Sequence, residues 1–218
     1  LLFVGAMPKV PPLKDLVSEL LRKLDNPTGT PALRHMVQGK RNLVILVEDN
    51  TRNTPLKILL PPLLDYLFRS GLSRDAVSFL VATGTHRVMT EEELEEKLGK
   101  DICSSFPVHQ HDATRREDLV FLDPVYVGDY KIPLEVNRRA VEADFLLGLG
   151  NIVPHADAGF SGGAKILQPG VCGFSSTAAT HASAALSGGI PLGRMENPCR
   201  SGMEKVADAL EIATHLVL

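Results

Sequence analysis

The sequence has few cysteines, no strong charge imbalance and no long apolar run, and each lack closes off a class of function. Cys103, Cys172 and Cys199 are widely spaced and odd in number. They form neither a disulfide framework nor a CxxC metal knuckle, so a reducing compartment, the cytoplasm, is the expected location. Lys and Arg number 23 against 26 Asp and Glu, so composition does not mark a polyanion binder and nucleic acid is not an expected partner. The opening LLFVGAMPKVPP is apolar but short, lacks a basic n-region and holds three prolines. It is read as neither a signal peptide nor a membrane span, and no membrane partner is expected.

What is present is globular in character: 218 residues, 44% hydrophobic and 22% charged, enough for one large domain or one and a half small ones with a sizeable core. The chain begins without Met, and EKVADALEIATHLVL stops in an apolar run that reads as the opening of a strand. A domain excerpt is therefore expected.

Leu13, Leu16, Leu20, Leu21 and Leu24 have helical spacing, and DNPTGTP closes that helix with breakers. Residues 43–47 are an apolar run of the length of a buried parallel strand, followed by the polar EDNTRNTP and the helix-like LKILLPPLLDYLFRSG. Pro61 and Pro62 predict a kink or break in that helix. A second unit repeats the order, with strand 76–82, loop TGTHR and helix 90–99, in which Thr90 and Glu93 make a capping box. A strand at 120–122 and an extended pair bent at Gly128–Asp129 follow, then a short helix and a buried strand at 144–149. FSSTAATHASAALSGG reads as the helix after the long loop that begins there. The expected fold is α/β: a mostly parallel sheet flanked by helices, Rossmann-like, with an extended hairpin insertion. Residues 1–42 are read as a helical or extended lead-in and residues 43–218 as an α/β cofactor-binding catalytic domain.

In open α/β sheets ligands sit beyond the carboxyl ends of the strands. That rule selects EDNTR, TGTHR and GNIVPHADAGFSGGAK, which carry Asp49, Arg52, His86, His155, Asp157 and Lys165. Gly159 to Lys165 is not a Walker A loop, because Ala164 replaces the second glycine and Ile166 the magnesium-binding hydroxyl. From the residues alone three readings stay open. Lys165 is a solvated side chain, a phosphate contact or a nucleophilic tether. Arg52 pairs with Asp49 or Glu48, or binds a carboxylate or phosphate. A zinc hydrolase would need His155, His181 and Asp157 or His86 to converge on one metal.

DNTR (49–52), ATGTHR (82–87), HDA (111–113), PHADAGFSGGAKILQPG (154–170) and His181, in that order, resemble the lactate racemase family, whose members use a nickel-pincer nucleotide. The resemblance runs from about residue 43 to the end and corresponds to the family's N-terminal domain. It implies a cofactor, pyridinium-3,5-bisthiocarboxylic acid mononucleotide with nickel, attached through a thioamide at the position of Lys165. His181 then matches the nickel ligand, His86 and His155 the acid–base pair, and Arg52 the substrate carboxylate contact, with Asp49 orienting the site. Ser161, Gly162 and Gly163 match the turn beside the cofactor, where backbone N–H groups can hold its phosphate.

The implied activity is racemisation or epimerisation of a 2-hydroxy acid by proton-coupled hydride transfer, with one histidine per face of the keto acid. The implied partner is the family's C-terminal domain, which closes the cleft and adds a lysine, so the excerpt is expected to be inactive alone. The family commonly has Thr-Arg-Pro in the first loop, whereas Asn53 follows Arg52 here. The competing reading is a phosphate- or nucleotide-binding α/β domain without racemase activity.

Overall fold

The computed structural model describes residue 11, residues 13–210 and the backbone of residues 214–217. Helix α1 (Leu16–Asp25) is started by Asp15, whose carboxylate accepts the Ser18 N–H at 3.0 Å, and it buries Leu20 and Leu24. Leu13 and Leu21, at the same spacing, stay exposed. One turn, α2 (Leu33–Met36), adds Leu33 to the same core. Strand β1 (Leu43–Glu48) is buried through Val47, as an apolar run covered on both faces has to be.

Helix α3 (Leu56–Arg69) runs unbroken through Pro61 and Pro62, against the expected break. Six of its leucines are buried, each worth about 2 kcal/mol, which exceeds the cost of about 3 kcal/mol per interior proline. The carbonyls that lose their partners belong to Lys57 and Ile58, on the exposed side. Strand β2 (Val77–Ala82) follows, then α4 (Glu91–Leu98) with the Thr90–Glu93 capping box in place. After α5 (Lys100–Ser105) comes β3 (Val108–Gln110), a strand too short to show a pattern in sequence.

Strands β4 (Leu119–Val127) and β5 (Tyr130–Asn137) form one antiparallel hairpin turning at Gly128–Asp129. The segment expected as a separate strand at 120–122 is part of β4. The short α6 (Arg138–Val141) leads into β6 (Phe145–Gly150), buried along its whole length. Within the following loop β7 (Pro154–His155) and β8 (Gly159–Phe160) pair antiparallel, and a 3-10 turn spans Gly163–Ile166. Helix α7 (Phe174–Ser183) ends before the expected glycine pair and continues as a 3-10 turn over Ala184–Ser187. Helix α8 (Pro198–Ala209), which the sequence reading left unassigned, is capped by the Asn197 side chain accepting the Arg200 N–H. The closing apolar run forms β9 (Thr214–Val217).

The sheet order is β3-β2-β1-β6-β9, and every neighbouring pair is parallel. Alternate residues of β1 face opposite layers: Leu43, Ile45 and Val47 join the core formed with α1 and α3, while Val44 and Leu46 join the one with β5 and α8. The chain leaves β1 toward β2 on one side and later fills the other side with β6. The carboxyl ends of β1, β2 and β6 thus open on one rim at a topological switch point.

Candidate active site

A cavity of about 160 Å³ lies at that rim, and its lining includes Asp49, Arg52, His86, His155, Ser161, Gly162, Gly163, Lys165 and His181. The nine residues to which the resemblance gives a role are therefore gathered around one space, while Asp157, selected with its loop, is not among the lining residues.

Asp49, directly after β1, is 4% exposed. Its carboxylate accepts the Thr51 N–H at 3.0 Å and the Thr51 hydroxyl at 2.5 Å, and its Oδ2 lies 2.6 Å from His86 Nδ1. Burial pushes the Asp49 carboxyl up, but the Thr51 hydroxyl, the His86 ring and the Thr51 amide together hold it below the usual carboxylate value. An ionised Asp49 fixes the proton on His86 Nδ1 and leaves Nε2 with a free lone pair. Arg52 is not paired with Asp49: its guanidinium donates to the Thr51 carbonyl at 3.3 Å and hydroxyl at 3.0 Å. Lys97 Nζ donates to the Arg52 carbonyl from α4, fixing the loop at its far end.

His155, on β7, is held in the other tautomer. Its Nδ1 accepts the Asp157 and Ala158 N–H groups, both at 3.2 Å, so the neutral ring carries its proton on Nε2. Burial, then the neighbouring Lys165 charge, lowers its pKa to about 4, with Asp157 opposing. His181, on α7, is also held below the usual imidazole value, by burial and then by Lys165. Burial lowers the pKa of the Lys165 ammonium, and Arg52 adds to the effect.

The loop carrying Lys165 is shaped by close backbone contacts. Gly162 has φ +71°, and a Cβ there would come 2.9 Å from both the Asn151 carbonyl oxygen and Ile152 Cγ1, so glycine is required twice over. The Ser161 hydroxyl donates to Asn151 O at 2.9 Å and accepts the Val153 N–H at 2.8 Å. Ser161 thus ties the loop to its own start.

Three contributors were given no role of their own in the sequence reading, although His111 stood in the HDA motif and Glu48 at the start of the first loop. Glu48, also lining the cavity, accepts the Asn151 N–H at 3.2 Å and the Thr54 hydroxyl, joining the loops after β1 and β6. Its signal was available, as the last residue of a strand in the selected loop. His111 is fully buried: its Nε2 bonds the Cys172 carbonyl at 2.9 Å, its Nδ1 faces Asn137 Nδ2 at 3.2 Å, and its carbonyl accepts the Thr83 hydroxyl. It pins the end of β3 to the His86 loop and to the segment after Lys165. Arg200 contacts the backbone of residues 160–162, and nothing in its sequence neighbourhood marked it.

Among the described residues no group of three or more His, Cys, Asp or Glu side chains is arranged to hold a metal ion, so the side chains alone do not assemble a zinc-hydrolase centre. No helix among them is long and apolar enough to cross a membrane.

Fold and cavity together define an α/β domain of the kind that binds a small molecule beyond the carboxyl ends of its strands. A family model described as lactate racemase N-terminal domain matches residues 1–189, and the chain belongs to that family. It is 40% identical over 162 residues to a lactate racemase of Thermoanaerobacterium thermosaccharolyticum, a stretch covering 74% of this chain and 37% of that protein. It is 39% identical over 160 residues to a lactate racemase of Lactiplantibacillus plantarum, covering 73% and 37%. The structure of the lactate racemase apoprotein from T. thermosaccharolyticum superposes with a TM-score of 0.85 at 34% identity, over 93% of this chain and 48% of that one. A protein from Thermotoga maritima superposes with a TM-score of 0.76 at 26% identity, over 92% and 50%. The chain thus spans little more than a third of the curated relatives it matches.

Proposed function

We propose that the full-length protein racemises or epimerises a 2-hydroxy acid, lactate or a close relative, with a nickel-pincer nucleotide tethered to Lys165. The observation that carries this reading is the convergence of Lys165, His181, His86, His155 and Arg52 on one cavity.

The residues present fit such a group. Burial and Arg52 push Lys165 toward the neutral amine, the state in which it can form a covalent bond. His181, on α7, lines the same cavity and would offer an imidazole nitrogen to a metal held there. Without a three-residue cluster among the described residues, a nickel ion held by His181 would need its other ligands from the bound group. The chemistry that group supplies when bound is reversible uptake of a hydride from C2 of the substrate.

This chain's own residues do the rest. Arg52 receives the substrate carboxylate with its planar fork. His86, with Nδ1–H held by Asp49, offers Nε2 to the substrate hydroxyl proton. On the other face His155 would hydrogen-bond the substrate oxygen through Nε2–H, and would return a proton there only from its imidazolium form. The part of the relatives that extends beyond this chain is the partner that closes the cleft and excludes water.

The test is intact-protein mass spectrometry with metal analysis of the full-length protein made in cells that synthesise the cofactor. The expected result is added mass on Lys165 with bound nickel, lost in Lys165→Ala, and reduced nickel retention in His181→Ala. An unmodified Lys165, in cells shown to load a known lactate racemase, would sink the reading in favour of a plain phosphate-binding domain.

A further inference from the structure

Glu93, in the first turn of α4, completes the capping box, its carboxylate accepting the Thr90 N–H at 2.9 Å. A cap asks no more of it than that. The same carboxylate also accepts both terminal nitrogens of Arg87, Nη1 at 2.7 Å and Nη2 at 2.6 Å, and the Asn50 side-chain amide at 3.0 Å. Four donors therefore converge on its two oxygens. The Arg87 hydrogen bonds, then the Thr90 amide, pull the Glu93 carboxyl down to about 2, so it is a full carboxylate at neutral pH.

Stability does not account for this set of contacts. Arg87 is 66% exposed and Glu93 29%, and ion pairs in that setting add little to the folded state. What the contacts share is their address. Asn50 directly follows Asp49 and Arg87 directly follows His86, so one carboxylate grips the residue next to each member of the 2.6 Å pair. The grip falls where the sheet has ended. The ladder between β1 and β2 stops at Glu48 and Ala82, and past it the two loops are joined by the Asp49–His86 contact itself and by the path from Asn50 through Glu93 to Arg87. A bidentate arginine fixes orientation as well as distance, which a single hydrogen bond between the loops would not. Lys97, one turn along the same face of α4, donates to the Arg52 carbonyl and anchors that residue separately.

We infer that Glu93 is a positioning residue of the acid–base site, which through Asn50 and Arg87 keeps the Asp49 carboxylate and the His86 ring in register. Glu93 does not line the cavity, and its role rests on the reading of His86 as the base.

Glu93→Gln is the discriminating variant, because glutamine still completes a capping box but offers one acceptor oxygen and a donor amide in place of two acceptors. The unloaded full-length protein, labelled with nitrogen-15 on its histidine rings, is read at about pH 8, above the ordinary histidine value. In the wild type the His86 proton is expected on Nδ1. In Glu93→Gln the signal is expected to move toward a mixture of both tautomers, whereas Thr90→Ala, which loses the cap hydroxyl and keeps the carboxylate, matches the wild type. In the loaded enzyme, kcat of Glu93→Gln is expected to fall about ten-fold with nickel content unchanged and KM moved by less than about two-fold, since Arg52 keeps its anchor on Lys97. A Glu93→Gln protein with the wild-type His86 tautomer overturns the positioning role, and so does a Thr90→Ala protein that shifts His86 equally. A wild type without the Nδ1 proton overturns the Asp49–His86 pairing and the role of Glu93 with it. A loaded wild type that racemises no hydroxy acid removes the proposed function alone, and the tautomer result still decides what Glu93 does. Should Glu93→Gln fail to fold, Arg87→Met opens the same path from the other loop, and an unshifted His86 there overturns the role.

Discussion

His86 Nδ1 and Asp49 Oδ2 lie 2.6 Å apart, while His155 Nδ1 takes two backbone N–H groups instead. The two histidines of the site therefore rest in opposite tautomers, one offering a lone pair from Nε2 and the other a proton.

Asp49→Asn tests the first half of that statement. An amide in place of the carboxylate favours the wrong His86 tautomer, so kcat of the loaded full-length enzyme is expected to fall on the order of 10³-fold. Mass spectrometry should find Lys165 loaded as in the wild type. A variant with wild-type kcat would show that Asp49 does not set the state of His86.

The second half is read by nitrogen-15 resonances of the histidine rings. His155 is expected to be neutral at pH 7, with the proton on Nε2, and to titrate only as the pH approaches about 4. A His155 that titrates near the ordinary histidine value of about 6.5 would contradict the two amide contacts.

Stability should carry the same signature. Burial, the leading cause for each, lowers the pKa values of His109, His111, His155 and His181. An unfolded chain takes up protons on these rings near pH 6.5 while the folded one resists, so the unfolded state binds more protons as pH falls. Stability is expected to be undiminished by these groups above about pH 6.5 and to fall progressively from there toward pH 4. Denaturant midpoints measured across that interval check the sign, and a midpoint that rises on acidification would refute it.

His111→Ala leaves the Cys172 carbonyl and the Asn137 amide without the partners they have now. The expected cost is about 3 kcal/mol, read from the denaturant midpoint. His111→Gln, which can still donate to Cys172 O, should recover part of it. Equal destabilisation by both variants would show that ring volume, not the hydrogen bonds, matters there.

The parts of the fold visible in sequence were those written in consecutive residues. Residues 43–47 are apolar without interruption because β1 is covered on both faces, and Gly128–Asp129 marks the β4–β5 turn by local chemistry. The site was legible for a related reason, since strand-end loops declare themselves by their polarity and three of them share a rim. The rest depends on distant partners. Pro61 and Pro62 are tolerated because of leucines packed against other elements. Arg200 and His111 derive their roles from carbonyls 38 to 61 residues away in the chain; the HDA motif marked His111, but nothing local gave its role or marked Arg200.

The sheet order also sets a schedule for synthesis. Strands β1, β2 and β3 are complete once residue 110 has been made, so the His86 side of the cavity has its sheet early. Strand β6, which leads into the Lys165 loop, receives its second neighbour only when β9 arrives at residues 214–217. On a ribosome that builds the chain from its N-terminus, the loop carrying His86 therefore has its sheet support before the loop carrying Lys165 does.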